Sequence, residues 1–445
     1  MSVAQVINRK SGKNMKKIQN EVLIKNGRVI DPADGIDKIA DVYIKDGIIV
    51  EVGKIEKSGA KTVIDASGKI VAPGLIDIHV HFREPGDEEV ETIASGSMAA
   101  VAGGFTSVVT MPNTDPPVQD ETSVEYVHRK ARVARKTHVY VMGAITKQRQ
   151  GQELAEMGLM ARAGAVGFTD DGTGVQDASV MLRALKYASM FNLVVAQHCQ
   201  DNSLGKSGVM NSGYNSTILG LPGMDPLAEE MMLWRDVQLV KKTGTKYHAQ
   251  HISTKGSVEI IKQAKLQNLP ITCEVTPHHL LLTDEHIKDY DTNYKVNPPL
   301  RTAEDIKALK HAIQHGLVDA LVTDHAPHLQ SAKELEFLAA PFGIDSIECA
   351  LALYVKALVE PNLINWPQLI AMMTYKPAAI IGIDKGTLAP GKQGDVTIID
   401  PEYKWKIDSA KFYSKSRNCP YQNWEVKAKP IYTIVGGEIR YALEA

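Results

Sequence analysis

The chain has 445 residues, a length that one large α/β barrel plus an accessory domain would fill and a single small domain would not. Lys and Arg number 50 against 52 Asp and Glu, a formal net charge of −2, so nothing marks a nucleic-acid or membrane surface as the principal partner. Hydrophobic content of 44% and charged content of 23% are those of an ordinary globular protein. Cys199, Cys273, Cys349 and Cys419 form no C-x-x-C pair, which reads as reduced thiols in a cytoplasmic protein.

Residues 1–18 are basic and polar without an apolar centre, and are expected to be a disordered extension rather than a secretory signal. No apolar run reaches the ~18 residues of a membrane helix. Residues 19–70 read as short strands. LIKNGRVID and VYIKDGIIVEVG each place a two-residue turn, Asn26–Gly27 and Asp46–Gly47, between β-prone runs, which predicts two hairpins. Residues 387–445 repeat the style, with a turn at Gly436–Gly437. The two ends together predict one small β-sandwich domain, with residues 71–386 inserted between them.

That middle stretch alternates strand-like and helix-like runs. The strand candidates are LIDIHVHF, TSVVTMPN, HVYVMGAIT, AVGFTDD, LVVAQHC, KYHAQHIS, ITCEVTPHH and DALVTDHAPH. Eight strands alternating with helices predict an α/β fold, a (β/α)8 TIM barrel, with a doubly wound sheet as the competing architecture. No G-x-G-x-x-G opens the first unit, and LGKS at 204–207 lacks the leading glycine of a Walker motif, so phosphate-cradling chemistry is disfavoured.

Side chains alternate faces along a strand, so His79, His81 and Arg83 share one. Two imidazoles suit a divalent metal, and a guanidinium beside them suits a carboxylate. Its competing role is a surface ion pair with Glu84. The other strand ends carry Asn113, Asp170–Asp171, His198, His251, and Asp324 with His325 and His328. Barrel enzymes build their sites from those ends. Four histidines and two aspartates suffice for two divalent ions, and mixed nitrogen and oxygen ligation suits zinc. A carboxylate between two cations offsets their repulsion. Alternation does not choose between Asp170 and Asp171. His248, three residues before His251, falls on the opposite face and reads as core, and His278–His279 receive no role.

PGLIDIHVHFREPG, VVTMPNTDPP, GFTDDG, HISTKGS, VNPPLR, TDHAPH, APFGI and SKSRNCPYQNWEVKAKPIYTIVGG resemble the cyclic amidohydrolases, and among them the longer class of bacterial dihydroorotases. The resemblance runs from about residue 20 to the C-terminus. It implies that His79, His81, Asp171, His198, His251 and Asp324 hold zinc, two ions per chain, and that Asp324 is also the catalytic acid and base. It implies substrate contacts from Arg83, Asn113, Asn297, His328 and the Phe342–Gly343 main chain. The implied reaction interconverts N-carbamoyl-L-aspartate and dihydroorotate in pyrimidine synthesis. The implied partners are a carboxylate-bearing small molecule, a second copy in a homodimer and, in some members, aspartate transcarbamoylase.

Hydantoinases, dihydropyrimidinases and allantoinases bridge their metals with a carboxylated lysine at the end of strand four. AVGFTDDG has no lysine, and Asp171 stands in. The rival readings are one of those hydrolases or a catalytically inactive scaffold subunit. Leu329–Pro341, after the last ligands, is either a lid over the barrel mouth or a solvated surface helix.

Overall fold

The computed structural model describes residues 21–56 and 58–444, so the expected extension at 1–18 lies outside the described residues. The chain opens with β1 (Glu21–Asp31), β2 (Ile36–Lys45), β3 (Ile48–Gly53), β4 (Thr62–Asp65) and β5 (Ile70–Pro73). Eight parallel strands follow in one sheet: β6 (Leu75–Val80), β7 (Phe105–Thr110), β8 (His138–Gly143), β9 (Gly167–Phe168), β10 (Val194–Gln197) and, after the short pair β11 (Met210–Asn211) and β12 (Gly223–Met224), β13 (Tyr247–Ala249), β14 (Ile271–Val275) and β15 (Ala320–Leu321). The chain ends with β16 (Val396–Lys406), β17 (Glu425–Val435) and β18 (Glu438–Ala442).

The two ends share one sheet in the order β18-β17-β16-β5-β1-β2-β3, with β4 also paired to β1. Asp46–Gly47 and Gly436–Gly437 form the predicted tight hairpins, with left-handed φ of +51° and +82°, and of +57° and +78°. Asn26–Gly27 does not turn the chain, contrary to the expectation. β1 runs through it with one extra residue against β2, a bulge between the pairs Ile24/Val42 and Gly27/Ala40. Asn26 takes the left-handed φ (+62°) and donates its N–H to Asp41 at 2.9 Å. Gly27 is needed for room, since a Cβ there would lie 2.4 Å from Val71 Cγ2. The sheet bends until its turns meet: Gly394 N–H donates to Gly47 O (2.7 Å) and Gly437 N–H to Gly394 O (2.8 Å). Val22, Ile24, Val42, Ile44, Ile398 and Ile434 fill the enclosed core. The β-sandwich is thus a single branched sheet folded over on itself.

The larger sheet closes into the (β/α)8 barrel. Val80 bridges to His325, and His81 N–H donates to His325 O at 2.8 Å. Below this seam the buried Asp77 carboxylate accepts from Thr323 Oγ1 (2.6 Å) and the His79 N–H (3.0 Å), tying the first strand to the last. Helices between the strands begin at capping side chains (Thr92, Asp120, Asp177, Thr254 and Thr302) that accept from first-turn N–H groups. Phe105, Phe168, Val195, Tyr247 and Leu321 lie in the core between strands and helices. Full burial of each large apolar side chain contributes roughly 1.5–3 kcal/mol. The loop between β16 and β17 leaves the small sheet and reaches the barrel mouth, where Ser414 donates to Glu91 (2.7 Å) and Asn418 Nδ2 to Ala326 O (3.0 Å). Among the described residues no helix is long and apolar enough to cross a membrane.

Candidate active site

His79 is the penultimate residue of β6, and the other ligand-type residues lie just past the strand ends: His81 after β6, Asp171 after β9, His198 after β10, His251 after β13 and Asp324 after β15. At these positions the chain leaves the sheet, and side chains from distant segments converge. Two groups form around one carboxylate, His79–His81–Asp171 and Asp171–His198–His251. Asp171 Oδ1 is 3.4 Å from His79 Nε2, 3.6 Å from His251 Nε2 and 3.9 Å from His198 Nδ1, while its Oδ2 is 3.5 Å from His81 Nε2. Asp324 Oδ1 joins the first group, 3.0 Å from His81 Nε2 and 3.5 Å from His79 Nε2. All six are buried. His251 and Asp324 hold left-handed φ of +29° and +47°, the backbone strain typical of functional sites.

Hydrogen bonds behind the ring fix which nitrogen faces the centre. His81 Nδ1–H donates to Asn113 Oδ1 (2.8 Å), His79 Nδ1–H to Glu274 (2.5 Å) and His198 Nε2–H to Gln200 (3.0 Å). The opposite nitrogens of His81, His79 and His198 face the aspartate oxygens, and His198 Nδ1 also lies 3.0 Å from His251 Nε2. His79 Nε2 and Asp171 Oδ1 are buried without any partner, as atoms reserved for a ligand would be. Burial raises the pKa of Asp171 and lowers that of His79. The charges facing them prevail, holding Asp171 well below the usual carboxylate range and His79 well above the imidazole range. A field that strong suits a divalent metal, and the donor set fits one.

The remaining predicted residues border this centre. Half-buried Arg83 donates to Pro327 O (3.2 Å) and stands 3.3 Å from His328 Nε2. Among the described residues it has no carboxylate partner, because Glu84 pairs with Lys130 and accepts the Ile93 N–H. The surface ion pair weighed for Arg83 is absent. Burial pushes its pKa down to about 10, which leaves it charged at neutral pH. Asn297 Nδ2 donates to Gln200 beside His198, and its Oδ1 is buried and unpaired. His328 Nε2–H donates to Phe342 O (2.7 Å), and Gly343 donates its N–H to Lys295 O (2.9 Å).

Several contributors escaped the sequence reading. Glu274, the one charged residue in β14, braces His79, His248 Nε2 (2.9 Å) and the His251 N–H (3.2 Å). His248 thus lies on the same side as the site, not on the opposite face. The strand ends at Ala249, and parity counting fails beyond it. Gln200 orients His198, and Arg149 donates to the Asp171 main-chain oxygen (3.0 Å). His278 is fully buried with both ring nitrogens unpaired, and burial pushes its pKa down to about 3. Asp170 points away from the site and accepts the Ile145 and Thr146 N–H groups (2.8 and 3.0 Å).

Comparison with known proteins agrees with this geometry. Residues 68–257 match the dihydro-orotase-like family and residues 262–441 the amidohydrolase family. The dihydroorotase of Geobacter metallireducens is 47% identical over 422 residues, covering 94% of this chain and 99% of the relative. That of Pelotomaculum thermopropionicum is 46% identical over 419 residues, covering 94% and 98%. Among solved structures, the L-hydantoinase (dihydropyrimidinase) of Arthrobacter aurescens superposes with a TM-score of 0.84 at 26% identity, covering 95% of this chain and 96% of its own. With near-full-length identity at this level, the chain belongs to the dihydroorotase family of metal-dependent cyclic amidohydrolases.

Proposed function

We propose that the barrel mouth interconverts N-carbamoyl-L-aspartate and dihydroorotate with two zinc ions. Asp171 would be shared between them, with His79, His81 and Asp324 on one side and His198 and His251 on the other. The observation that carries the substrate is Arg83, a guanidinium beside the centre with no carboxylate of its own chain to pair with. Dihydroorotate carries the missing carboxylate, and dihydrouracil and hydantoin do not.

When bound, the metal supplies Lewis-acid polarisation of the amide carbonyl and water acidified from a pKa of ~15.7 towards ~7. Asp324, beside both His79 and His81, takes the proton of the attacking water and delivers it to the ring nitrogen as the C–N bond breaks. In ring closure the same carboxyl starts protonated. Burial would raise its pKa, and the surrounding imidazoles hold it low, which suits a group that must first accept. Arg83 clamps the substrate carboxylate, with Asn113 beside it, and Asn297 accepts a substrate N–H, a reading supported by its buried Oδ1 having no other partner.

The small domain of 19–70 with 387–445, the barrel of 71–386, a cytoplasmic location, a homodimer and association with aspartate transcarbamoylase belong to the same proposal. A substrate panel tests it on the zinc-loaded chain. Dihydroorotate and N-carbamoyl-L-aspartate should interconvert, and dihydrouracil and allantoin should be poor substrates. Faster turnover of either neutral ring would sink the proposal.

A further inference from the structure

The segment from Leu329 to Pro341 is a strap that holds one helical turn (Gln330–Lys333) and then a second turn closed by the Ala339 and Ala340 N–H groups on Glu336 O (both 2.9 Å), with Leu335 and Leu338 exposed. It is fastened from beneath by Lys295 and tied across itself by Lys333. Lys295, 2% exposed, directs Nζ at three main-chain oxygens of the strap: Phe337 (2.6 Å), Leu338 (3.1 Å) and Ala340 (2.6 Å). Its ammonium also sits 4.7 Å from the Phe342 ring centre, and its own carbonyl takes the Gly343 N–H. Lys333, 7% exposed, directs Nζ at Pro341 O (3.0 Å) and Gly343 O (3.2 Å), and its carbonyl is held by Thr292 Oγ1. Among the described residues neither ammonium has a carboxylate within ion-pair distance.

A buried cation without a counter-ion is costly, and an apolar side chain would fill the same space with less penalty. What the lysines do that a methionine could not is grip five carbonyls at once. Desolvation, reinforced by the charge of Lys295, pushes Lys333 down to about 7. The gripped segment ends on Phe342, whose carbonyl lies 2.7 Å from His328 Nε2. A carbonyl only accepts, and at 2.7 Å it is nearer to Nε2 than the donor-only Arg83 Nη2 at 3.3 Å, so the His328 proton sits on Nε2 and Nδ1 presents a lone pair. His328 in turn stands against Arg83.

We propose that Lys295 and Lys333 are positioning residues that make the Leu329–Gly343 strap a fixed wall of the substrate site and, through Phe342 O, set the tautomer and placement of His328 beside Arg83. The proposal rests on the dihydroorotase reading for the substrate it positions. It also answers the choice between lid and surface helix: opening would break the three Lys295 ammonium bonds and the Thr292 bond to the Lys333 carbonyl, while Lys333 holds the strap closed on itself, so the strap does not swing with each turnover.

The test compares wild type with Lys295→Met, Lys333→Met and Lys295→Arg, all zinc-loaded. Displacements near 1 Å at a reacting site cost on the order of 10²-fold, so KM for dihydroorotate should rise at least tenfold in Lys295→Met. Zinc per chain should stay at the wild-type value. Cleavage by a glutamate-specific protease at Glu334 and Glu336 should accelerate, and the nitrogen shifts of 15N-labelled His328 should lose the Nε2–H pattern. Lys333→Met should change in the same direction, and Lys295→Arg should recover most of the loss. The proposal is overturned if both methionine variants keep KM within twofold and the tautomer intact, if zinc is lost together with binding, or if Lys295→Arg is as impaired as Lys295→Met. Failure of wild type to turn over dihydroorotate would refute the substrate reading alone, since the protease and nitrogen-shift measurements still test the wall.

Discussion

Replacing Glu274 by Gln removes one negative charge from beneath the metal centre and leaves the shape almost unchanged. Oε1 accepts His79 Nδ1–H at 2.5 Å and the His251 N–H at 3.2 Å, and Oε2 accepts His248 Nε2–H at 2.9 Å. A glutamine carbonyl can keep the first two bonds. Its NH2 would then meet His248 Nε2, which must surrender its proton and turn to Thr272 Oγ1, already 2.7 Å from the other ring nitrogen. What is lost is mainly the charge assistance to His79, about half the strength of that bond. Carboxylates behind metal-binding histidines typically contribute 10–100-fold in metal affinity, or about 1.4–2.8 kcal/mol. Glu274→Gln should therefore weaken zinc binding by about that factor. Glu274→Leu should weaken it further, because the His79 Nδ1–H and His251 N–H are then buried without acceptors. Competition of the stripped protein against a chelating dye measures both constants. A zinc affinity within twofold of wild type in Glu274→Gln would refute the reasoning.

Arg83→Met should lower kcat/KM for dihydroorotate by roughly 10³-fold or more while changing the weak turnover of dihydrouracil far less; equal losses on both would remove the carboxylate clamp. Asp324→Asn should abolish turnover while retaining part of the bound metal, as measured by elemental analysis and steady-state rates, and an active variant would take Asp324 out of the proton transfer. Asp395 links the small sheet to the barrel through Lys385 (2.5 Å), His138 (3.1 Å) and the Gly436 N–H (2.7 Å). Burial opposes its ionisation, yet His138 and Lys385 bring its pKa down to about 2, below the unfolded value. The resulting stabilisation of about 2 kcal/mol is present above ~pH 4 and lost as pH falls through ~2. Asp395→Asn should therefore lower the denaturation midpoint at pH 7 and differ progressively less from wild type under acid; a gap that stays constant between pH 7 and pH 3 would contradict this.

The barrel was legible because the strand candidates are short apolar runs, six of the eight ending in a polar residue given a place at the barrel mouth. That pattern survives even where the strand shrinks to Gly167–Phe168 or Ala320–Leu321. Parity arguments were weaker where strands are short. With β9 only two residues long, alternation says nothing about Asp170 against Asp171, and only the family resemblance favoured the residue that meets the histidines. His248 was misplaced for the same reason, since the chain leaves β13 before reaching His251. Asn26–Gly27 has the composition of a turn, and β1 uses it as a bulge in which Asn26 takes the left-handed φ and Val71 leaves no room for a Cβ at Gly27. Glu274 did leave a signal, an acidic side chain inside the otherwise uncharged strand ITCEV, and it was overlooked. The lysine grip on the strap left none, because it is made to main-chain oxygens, which no side-chain pattern announces.

Anomalous diffraction at the zinc edge from crystals of the metal-loaded chain tests the central claim most directly. Two peaks are expected flanking Asp171, one reached by His79, His81 and Asp324 and the other by His198 and His251. An absence of peaks at the barrel mouth, or metal bound only elsewhere, would contradict it.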